Sequence, residues 1–282
     1  MSKIAIVTDS SPNIPEHLIK ENHIHVVPLN VIWGEESYYD GIEITNAEFY
    51  TRLETAKIMP STSQPSVAQF EELFRSLYQD GYEILGIFLS EVLSGTISSA
   101  TQAKKMLPEA TIEIVNSKSL AMAHGFQVLA AARAANNGAS LAECKRIAKD
   151  ARDRSGVIFV LDTLEFLHRG GRIGGAKRFV GTLMNVKPIL TVENGTIVTL
   201  DQVRTQKKAL EAIVNLIEER TKGHKNIQLA TLHANNPETA QHILEEVTKR
   251  IPLAEKVFAE LSPVLGTHAG PGAVGLAYLV DM

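Results

Sequence analysis

The strongest constraint on the fold is a repeated unit: a short, continuously apolar run that breaks into a loop of small polar residues. Ile4-Ala5-Ile6-Val7 runs into Thr8-Asp9-Ser10-Ser11, and Ile84-Leu85-Gly86-Ile87-Phe88-Leu89 into the loop from Ser90 to Thr96. Thr111 to Val115 leads likewise into Asn116-Ser117. Apolar runs of this length without alternation read as buried strands, because a strand wetted on one face alternates. Helical patterns lie between them. Val67, Phe70, Phe74 and Leu77 share one face, widened by Leu73, and Leu120 to Ala135 is apolar on most sides. Strands alternating with helices predict a mostly parallel sheet covered on both faces.

Residues 28–60 interrupt that rhythm. Val31-Ile32-Trp33, Gly34-Glu35-Glu36 and Ser37-Tyr38-Tyr39 read as a hairpin, followed by a helix from about Asn46 to Ala56. Beyond Arg154 the pattern changes again. Val157 to Leu161, Lys187 to Val192 and Thr196 to Val203 are strand-like, the last two joined by the turn Glu193-Asn194-Gly195. A helix with Leu210, Ile213, Val214 and Ile217 on its core face follows, then a strand at Ile227–Leu232 and a helix at Pro237–Arg250. A strand at Lys256–Leu261 and an apolar run from Ala273 to Val280 end the chain. At roughly 100–200 residues per domain, 282 residues favour two domains. The expected fold class is α/β: a mostly parallel N-terminal α/β domain at 1–154, with a small β insertion at 28–60, and a C-terminal α+β domain at 155–282 with a mixed sheet.

Charge and composition narrow the function classes. With 28 Lys and Arg against 32 Asp and Glu, the net charge of −4 gives no global positive field for nucleic acid or an anionic membrane. A lone cysteine, Cys144, supports neither a disulfide framework nor a cysteine-based zinc site. The N-terminus enters a strand directly, with no signal peptide, and the apolar stretch Phe126–Ala135 is short and broken by Arg133. A soluble cytoplasmic protein is therefore expected. No dinucleotide, P-loop, zinc-protease or nucleophile-elbow motif occurs. Asp9, Asp40 and Asp162 are isolated, and His23 and His25 lack a third ligand, so no metal site is expected.

Four segments carry candidate chemistry. Pro60-Ser61-Thr62-Ser63-Gln64-Pro65-Ser66 gathers hydroxyls and an amide before a helix, which Ser63 or Ser66 would cap. Leu93-Ser94-Gly95-Thr96 follows a strand and opens a helix, where free N–H groups and the dipole favour carboxylate or phosphate. The same residues could simply cap that helix. Gly266-Thr267-His268-Ala269-Gly270-Pro271-Gly272 reads as a tight loop that fixes one imidazole before the last strand. Finally, Phe166 to Val192 holds five Lys and Arg and no acid. It is either a solvated surface or a site for an anionic partner; without interleaved aromatics it does not suit nucleic acid.

Taken together, the motifs resemble the DegV family of bacterial fatty-acid-binding proteins. The matching residues are I-V-T-D-S-S at the start, S-T-S-Q-P-S at 61–66, L-S-G-T at 93–96, L-H-R-G-G-R-I at 167–173, V-R-T at 203–205 and G-T-H-A-G-P-G at 266–272. They occur in order and span nearly the whole chain. The resemblance implies a long-chain fatty acid such as palmitate or oleate, held in a buried tunnel with its carboxylate near the domain junction. Thr62 and Ser94 would hydrogen-bond that carboxylate with His268 close by, and Ser63, Gly95 and Thr96 belong to the same loops. No cofactor, metal or catalytic residue is implied. The chain would be a carrier that presents the acid to an ATP-dependent fatty-acid kinase, for acyl-phosphate formation and phospholipid synthesis, with transient membrane contact for lipid exchange. Arg204 matches a position tied to kinase contact, and we assign Arg169, Arg172, Lys177 and Arg178 to the same contact. Phe126, Phe159, Phe166 and Phe179 are candidate tunnel walls. Two rival readings are weighed: a serine esterase with Ser94 as nucleophile and His268 as base, and a phosphate or nucleotide binder resting on 169–178.

Overall fold

Each apolar run of the first half becomes a strand whose polar loop lies at its carboxyl end. In the computed structural model the described residues are 3–179 and 186–282, without the side chains of Arg178 and Phe179. The first half runs β1 (Lys3–Asp9), α1 (Glu16–Glu21), β2 (His25–Val27), β3 (Asn30–Trp33), β4 (Glu36–Tyr39), α2 (Asn46–Glu54), β5 (Ser61–Ser63), α3 (Val67–Gln79), β6 (Tyr82–Phe88), α4 (Thr96–Lys105), β7 (Ile112–Asn116), α5 (Ala121–Asn136) and α6 (Leu141–Asp153). The second half runs β8 (Ser155–Val160), α7 (Glu165–Arg169), a 3-10 turn at Gly174–Phe179, β9 (Lys187–Glu193), β10 (Thr196–Val203), α8 (Gln206–Thr221), β11 (Ile227–His233), α9 (Pro237–Arg250), β12 (Glu255–Glu260), α10 (Pro263–Ala269) and β13 (Val274–Val280).

The strands form three sheets. The first is parallel throughout, in the order β2-β1-β6-β7. The second, β10-β9-β8-β13-β11-β12, is mixed: every pairing is antiparallel except β11 with β12. The third is the small antiparallel insertion, β4-β3-β5. Crossovers in the first sheet are helical, as parallel neighbours require. Ser66 opens α3 with a reciprocal capping box to Gln69, and Ser140 opens α6 with one to Glu143. On α3, Phe70 and Phe74 are wholly buried against Phe88 of β6; each contributes roughly 1.5–3 kcal/mol of burial.

Helix α5 joins the two large sheets. It packs on β1 of the first and on β8 and β13 of the second, which accounts for its apolar character on nearly every side. One core cluster accordingly runs from Ile6 to Leu279. Polar ties close the contact between the halves. Tyr50 Oη donates to Leu261 O at 2.9 Å, Val264 N–H donates to Asp40 Oδ1 at 3.0 Å, and Ser90 Oγ donates to Gly195 O at 2.9 Å. Among the described residues, no helix is long and apolar enough to cross a membrane.

The structure departs from the sequence reading at three places. Residues 61–63 are not a loop but strand β5, paired to β3 through Val31 and Thr62; Ser-Thr-Ser carries no apolar alternation to reveal a strand. Helix α6 goes unanticipated because its buried face is made of Leu141, Cys144, Ala148 and Ala151, a weak apolar signal. The glycine-rich 266–272 segment is not a loop over its first half. Gly266 to Ala269 belong to α10, opened by Ser262-Pro263 and ended by Gly270 at φ +72°. Gly266 serves packing, since a Cβ there would meet Tyr50 Oη at 2.7 Å and Phe49 at 2.8 Å.

Candidate functional site

Many separate segments converge on one cavity between the two large sheets. β5 supplies Thr62 and Ser63, with Gln64 just beyond; the β6–α4 loop supplies Leu93 and Ser94. The segment after α7 supplies Arg172, and α10 supplies Val264, Leu265, His268 and Ala269. The remaining wall comes from strands of the mixed sheet, from the start of α5, and from Leu29, Leu89, Leu161, Leu167 and Leu261. Thr62, Ser63, Gln64, Ser94, Arg172 and His268 are the polar lining groups; all others are apolar or glycine, and among the described residues no Asp or Glu lines the cavity.

The polar groups are tied to one another. Thr62 Oγ1 lies 2.8 Å from His268 Nε2. Ser94 Oγ lies 2.9 Å from Thr96 Oγ1, while Ser94 N–H bonds Ser90 O at 3.1 Å. Arg172 donates through Nε to Leu93 O at 3.0 Å and through a terminal nitrogen to Gly170 O at 2.6 Å. Ser63 Oγ accepts from Asn30 Nδ2 at 3.3 Å, across the small sheet.

His268 is the most perturbed of these groups. Burial first, and the Arg172 charge second, push its pKa down to about 4, so the imidazole is neutral at pH 7. Its Nδ1 is buried and has no partner among the described residues. That nitrogen faces Gly170, where a Cβ would overlap it. Gly170 is therefore glycine for space rather than for backbone freedom, because its φ is −71°. An orphaned Nδ1 favours the tautomer with hydrogen on Nε2: a bare lone pair is cheaper to bury than an unpaired N–H. Nε2–H then donates to Thr62 Oγ1, which frees the Thr62 hydroxyl hydrogen for a ligand in the cavity. In the Ser94–Thr96 contact at 2.9 Å either hydroxyl can donate; the arrangement with Thr96 Oγ1 donating leaves the Ser94 hydrogen free for a ligand. Among the described residues no acid partners Nδ1, so within them the arrangement lacks the third member of a serine-type triad.

The remaining sequence candidates distribute as follows. Thr96 is fully buried behind Ser94 and does not line the cavity. Gly95 stands at the N-cap of α4, where a Cβ would press on the Gln64 amide at 3.0 Å. Arg169 is exposed and paired with Glu165 at 2.6 Å, and Lys177 and Arg204 are exposed. Arg172 turns inward to the cavity instead. The side chains of Arg178 and Phe179 lie outside the described residues. Of the candidate wall residues Phe159 lines the cavity, Phe126 is ordinary core, and Phe166 packs where a Cβ on Gly270 would sit. Sequence reasoning missed the cavity roles of Arg172 and Gln64. Gln64 sat inside a motif already singled out, whereas Arg172 offered no local signal apart from its basic neighbours.

The chain is similar over its whole length to several known proteins. The family model described as "Uncharacterised protein, DegV family" matches residues 3–281. Protein DegV of Bacillus subtilis is 36% identical over 278 residues, covering 98% of each chain. Among solved structures, a DegV family protein from Thermus thermophilus, described as fatty-acid binding, superposes with a TM-score of 0.94 at 33% identity, covering 100% of both chains. Bacillus subtilis DegV, described as a fatty acid binding protein, superposes with a TM-score of 0.91 at 34% identity, again covering 100% of both. Motifs, fold and full-length identity agree that this chain belongs to the DegV family.

Proposed function

We propose that the chain binds one long-chain fatty acid in this cavity and carries it to an ATP-dependent fatty-acid kinase. The observation that carries the reading is the lining: hydroxyls, imidazole and guanidinium linked by the Thr62–His268 and Arg172–Leu93 contacts, hydrocarbon for the rest, and no lining acid among the described residues. The carboxylate accepts from the Thr62 and Ser94 hydroxyls, and the Arg172 charge offsets its desolvation. Neutral His268 sets the direction of the Thr62 hydrogen bond. The solved relatives described as fatty-acid binding support the same ligand class.

Magnitudes assign the roles. About fifteen methylenes at ~0.8 kcal/mol each give on the order of 12 kcal/mol before entropy and ordering costs. Each hydroxyl bond to a charged acceptor adds roughly 1.5–3 kcal/mol. Hydrocarbon burial therefore sets affinity, and the hydroxyl pair sets orientation. The bound acid would be phosphorylated by the kinase to an acyl-phosphate for phospholipid synthesis. The exposed Arg204, Arg169 and Lys177 are the contact we assign to the kinase, and transient membrane contact would load the carrier.

Native mass spectrometry of the purified chain, followed by denaturation and lipid identification, tests the first step. A stoichiometric long-chain acid is expected. A bare chain that also fails to take up added palmitate or oleate would remove the reading. For the second step, Arg204→Ala should lower acyl-phosphate formation in the presence of kinase and ATP without loosening the bound acid.

A further inference from the structure

Among the described residues six polar side chains line the fatty-acid cavity, and the proposed function gives work to Thr62, Ser94, Arg172 and His268. Gln64 has no part in it. Of the six, Gln64 alone is exposed, the other five being half-buried. It stands where the polar part of the lining meets solvent.

The backbone fixes where this side chain starts. Gln64 follows β5 and precedes Pro65, and a residue before proline is held extended. Extended backbone puts side chains two positions apart on one face, so Gln64 shares the face of Thr62, whose hydroxyl meets His268. Asn30 Nδ2 steadies the segment from the neighbouring strand, donating to Ser63 Oγ at 3.3 Å and to Gln64 O at 3.4 Å.

The amide itself is held by packing. A Cβ built on Gly95 would lie 3.0, 3.1 and 3.2 Å from Gln64 Cδ, Nε2 and Oε1. Near-equal distances to all three mean that the flat face of the amide covers Gly95, which leaves its N–H and C=O edges directed along the wall. Gly95 has φ −75° and ψ 6°, a conformation open to other residues, so glycine is there for space. Gly170 makes room for the His268 ring in the same way, also at a negative φ. Two glycines of ordinary conformation thus seat two polar side chains of one cavity. Among the described residues Gln64 hydrogen-bonds through its backbone, to Asn30, and not through its amide.

A carboxylate only accepts, and a carboxamide nitrogen brings two donors without a charge. Seated beside Ser94 and on the face of Thr62, that nitrogen is aimed at the same head group from the solvent side. We propose, resting on the fatty-acid reading above, that Gln64 is a third donor to the carboxylate and a determinant of free acid over ester. Its amide, flat on Gly95, donates through Nε2 to the outer oxygen, while Thr62 and Ser94 donate from deeper in the cavity.

Displacement of a fluorescent fatty acid from the full chain, by palmitate and by methyl palmitate, tests this. Gln64→Met keeps the length and the seat on Gly95 but has no donor. It should weaken palmitate about tenfold, the low end for a hydrogen bond to a charged acceptor, and methyl palmitate by less than about twofold. Gln64→Glu is isosteric and sets a like charge beside the carboxylate, so its loss for palmitate should exceed that of Gln64→Met. Gly95→Ala should weaken palmitate about fivefold while Gln64 is present and less than about twofold in a Gln64→Ala background, because the two act through one contact. Palmitate binding unchanged in Gln64→Met and Gln64→Glu, equal losses for acid and ester, or a Gly95→Ala loss undiminished in Gln64→Ala would overturn the role of Gln64. Failure of the underlying reading would remove both, and shows separately: the unaltered chain would take up no palmitate or would not prefer acid to ester.

Discussion

Removing both ligand-facing hydroxyls separates head-group recognition from hydrocarbon burial. In Thr62→Val/Ser94→Ala the cavity keeps its apolar wall, Arg172 stays anchored to Leu93 O and Gly170 O, and the two freed hydroxyl donors are lost. Two bonds at roughly 1.5–3 kcal/mol bound the effect at about 3–6 kcal/mol. The pair shares one acceptor and Arg172 remains, so the low end applies, about a hundredfold in affinity at ~1.4 kcal/mol per decade. The assay is competitive displacement of a fluorescent fatty acid, run in parallel with palmitate and methyl palmitate. The hydrocarbon contribution is common to both, so it cancels in their ratio. The acid should weaken about a hundredfold, while the ester, a much poorer acceptor, changes by less than about threefold. Equal losses for acid and ester would mean that the substitutions damaged the cavity. An unchanged acid affinity would refute the placement of the carboxylate at Thr62 and Ser94.

Other perturbations follow from the same geometry. Gly170→Ala places a methyl on His268 Nδ1, and should cost about 1–3 kcal/mol by overpacking and erase the acid-over-ester preference. Gly171→Ala, at φ +72° with open space around it, should cost about 1 kcal/mol of backbone strain and leave that preference intact; thermal melts and the displacement assay distinguish them. His268 is held near 4 against an ordinary 6.5, so between those values the unfolded chain binds a proton that the folded chain does not. Its contribution to stability is therefore lost as pH falls through that window, by up to about 3 kcal/mol. His268→Asn should melt with a shallower acid slope between pH 6.5 and 4, and an unchanged slope would count against a buried neutral imidazole. Tyr50→Phe leaves Leu261 O without its 2.9 Å donor, and should lower stability by about 1–3 kcal/mol, read as a drop of several degrees in melting temperature.

Legibility in the sequence tracks how local each signal is. The parallel sheet declares itself because β1 and β6 are buried on both faces, which leaves no polar alternation. Thr62, Ser94 and His268 stand out because they fall in dense clusters of hydroxyl or glycine residues. Strand β5 does not, since Ser61 to Ser63 owe their extended shape to the partner β3 rather than to their own side chains. Arg172 reads as one more member of a basic surface; what turns it inward is a carbonyl 79 residues earlier in the chain, at Leu93. The need for glycine at 266 comes from Phe49 and Tyr50, more than 200 positions away. Long-range packing of this kind overrides local propensity and leaves no trace in a window of neighbours.

The Thr62–His268 hydrogen bond joins positions 206 residues apart. On the proposed function, a nascent chain ending before α10 lacks the imidazole that directs the Thr62 hydroxyl toward the carboxylate, however well its first sheet has formed. Proteolytic nicking between the halves should release the acid wherever the cut lets α10 part from β5, and a loaded carrier should resist such cuts by RT ln(1 + [L]/Kd). On the proposed function the ligand acts as a non-covalent staple across a closure of 206 residues, and an emptied carrier is the form that proteases should cut first.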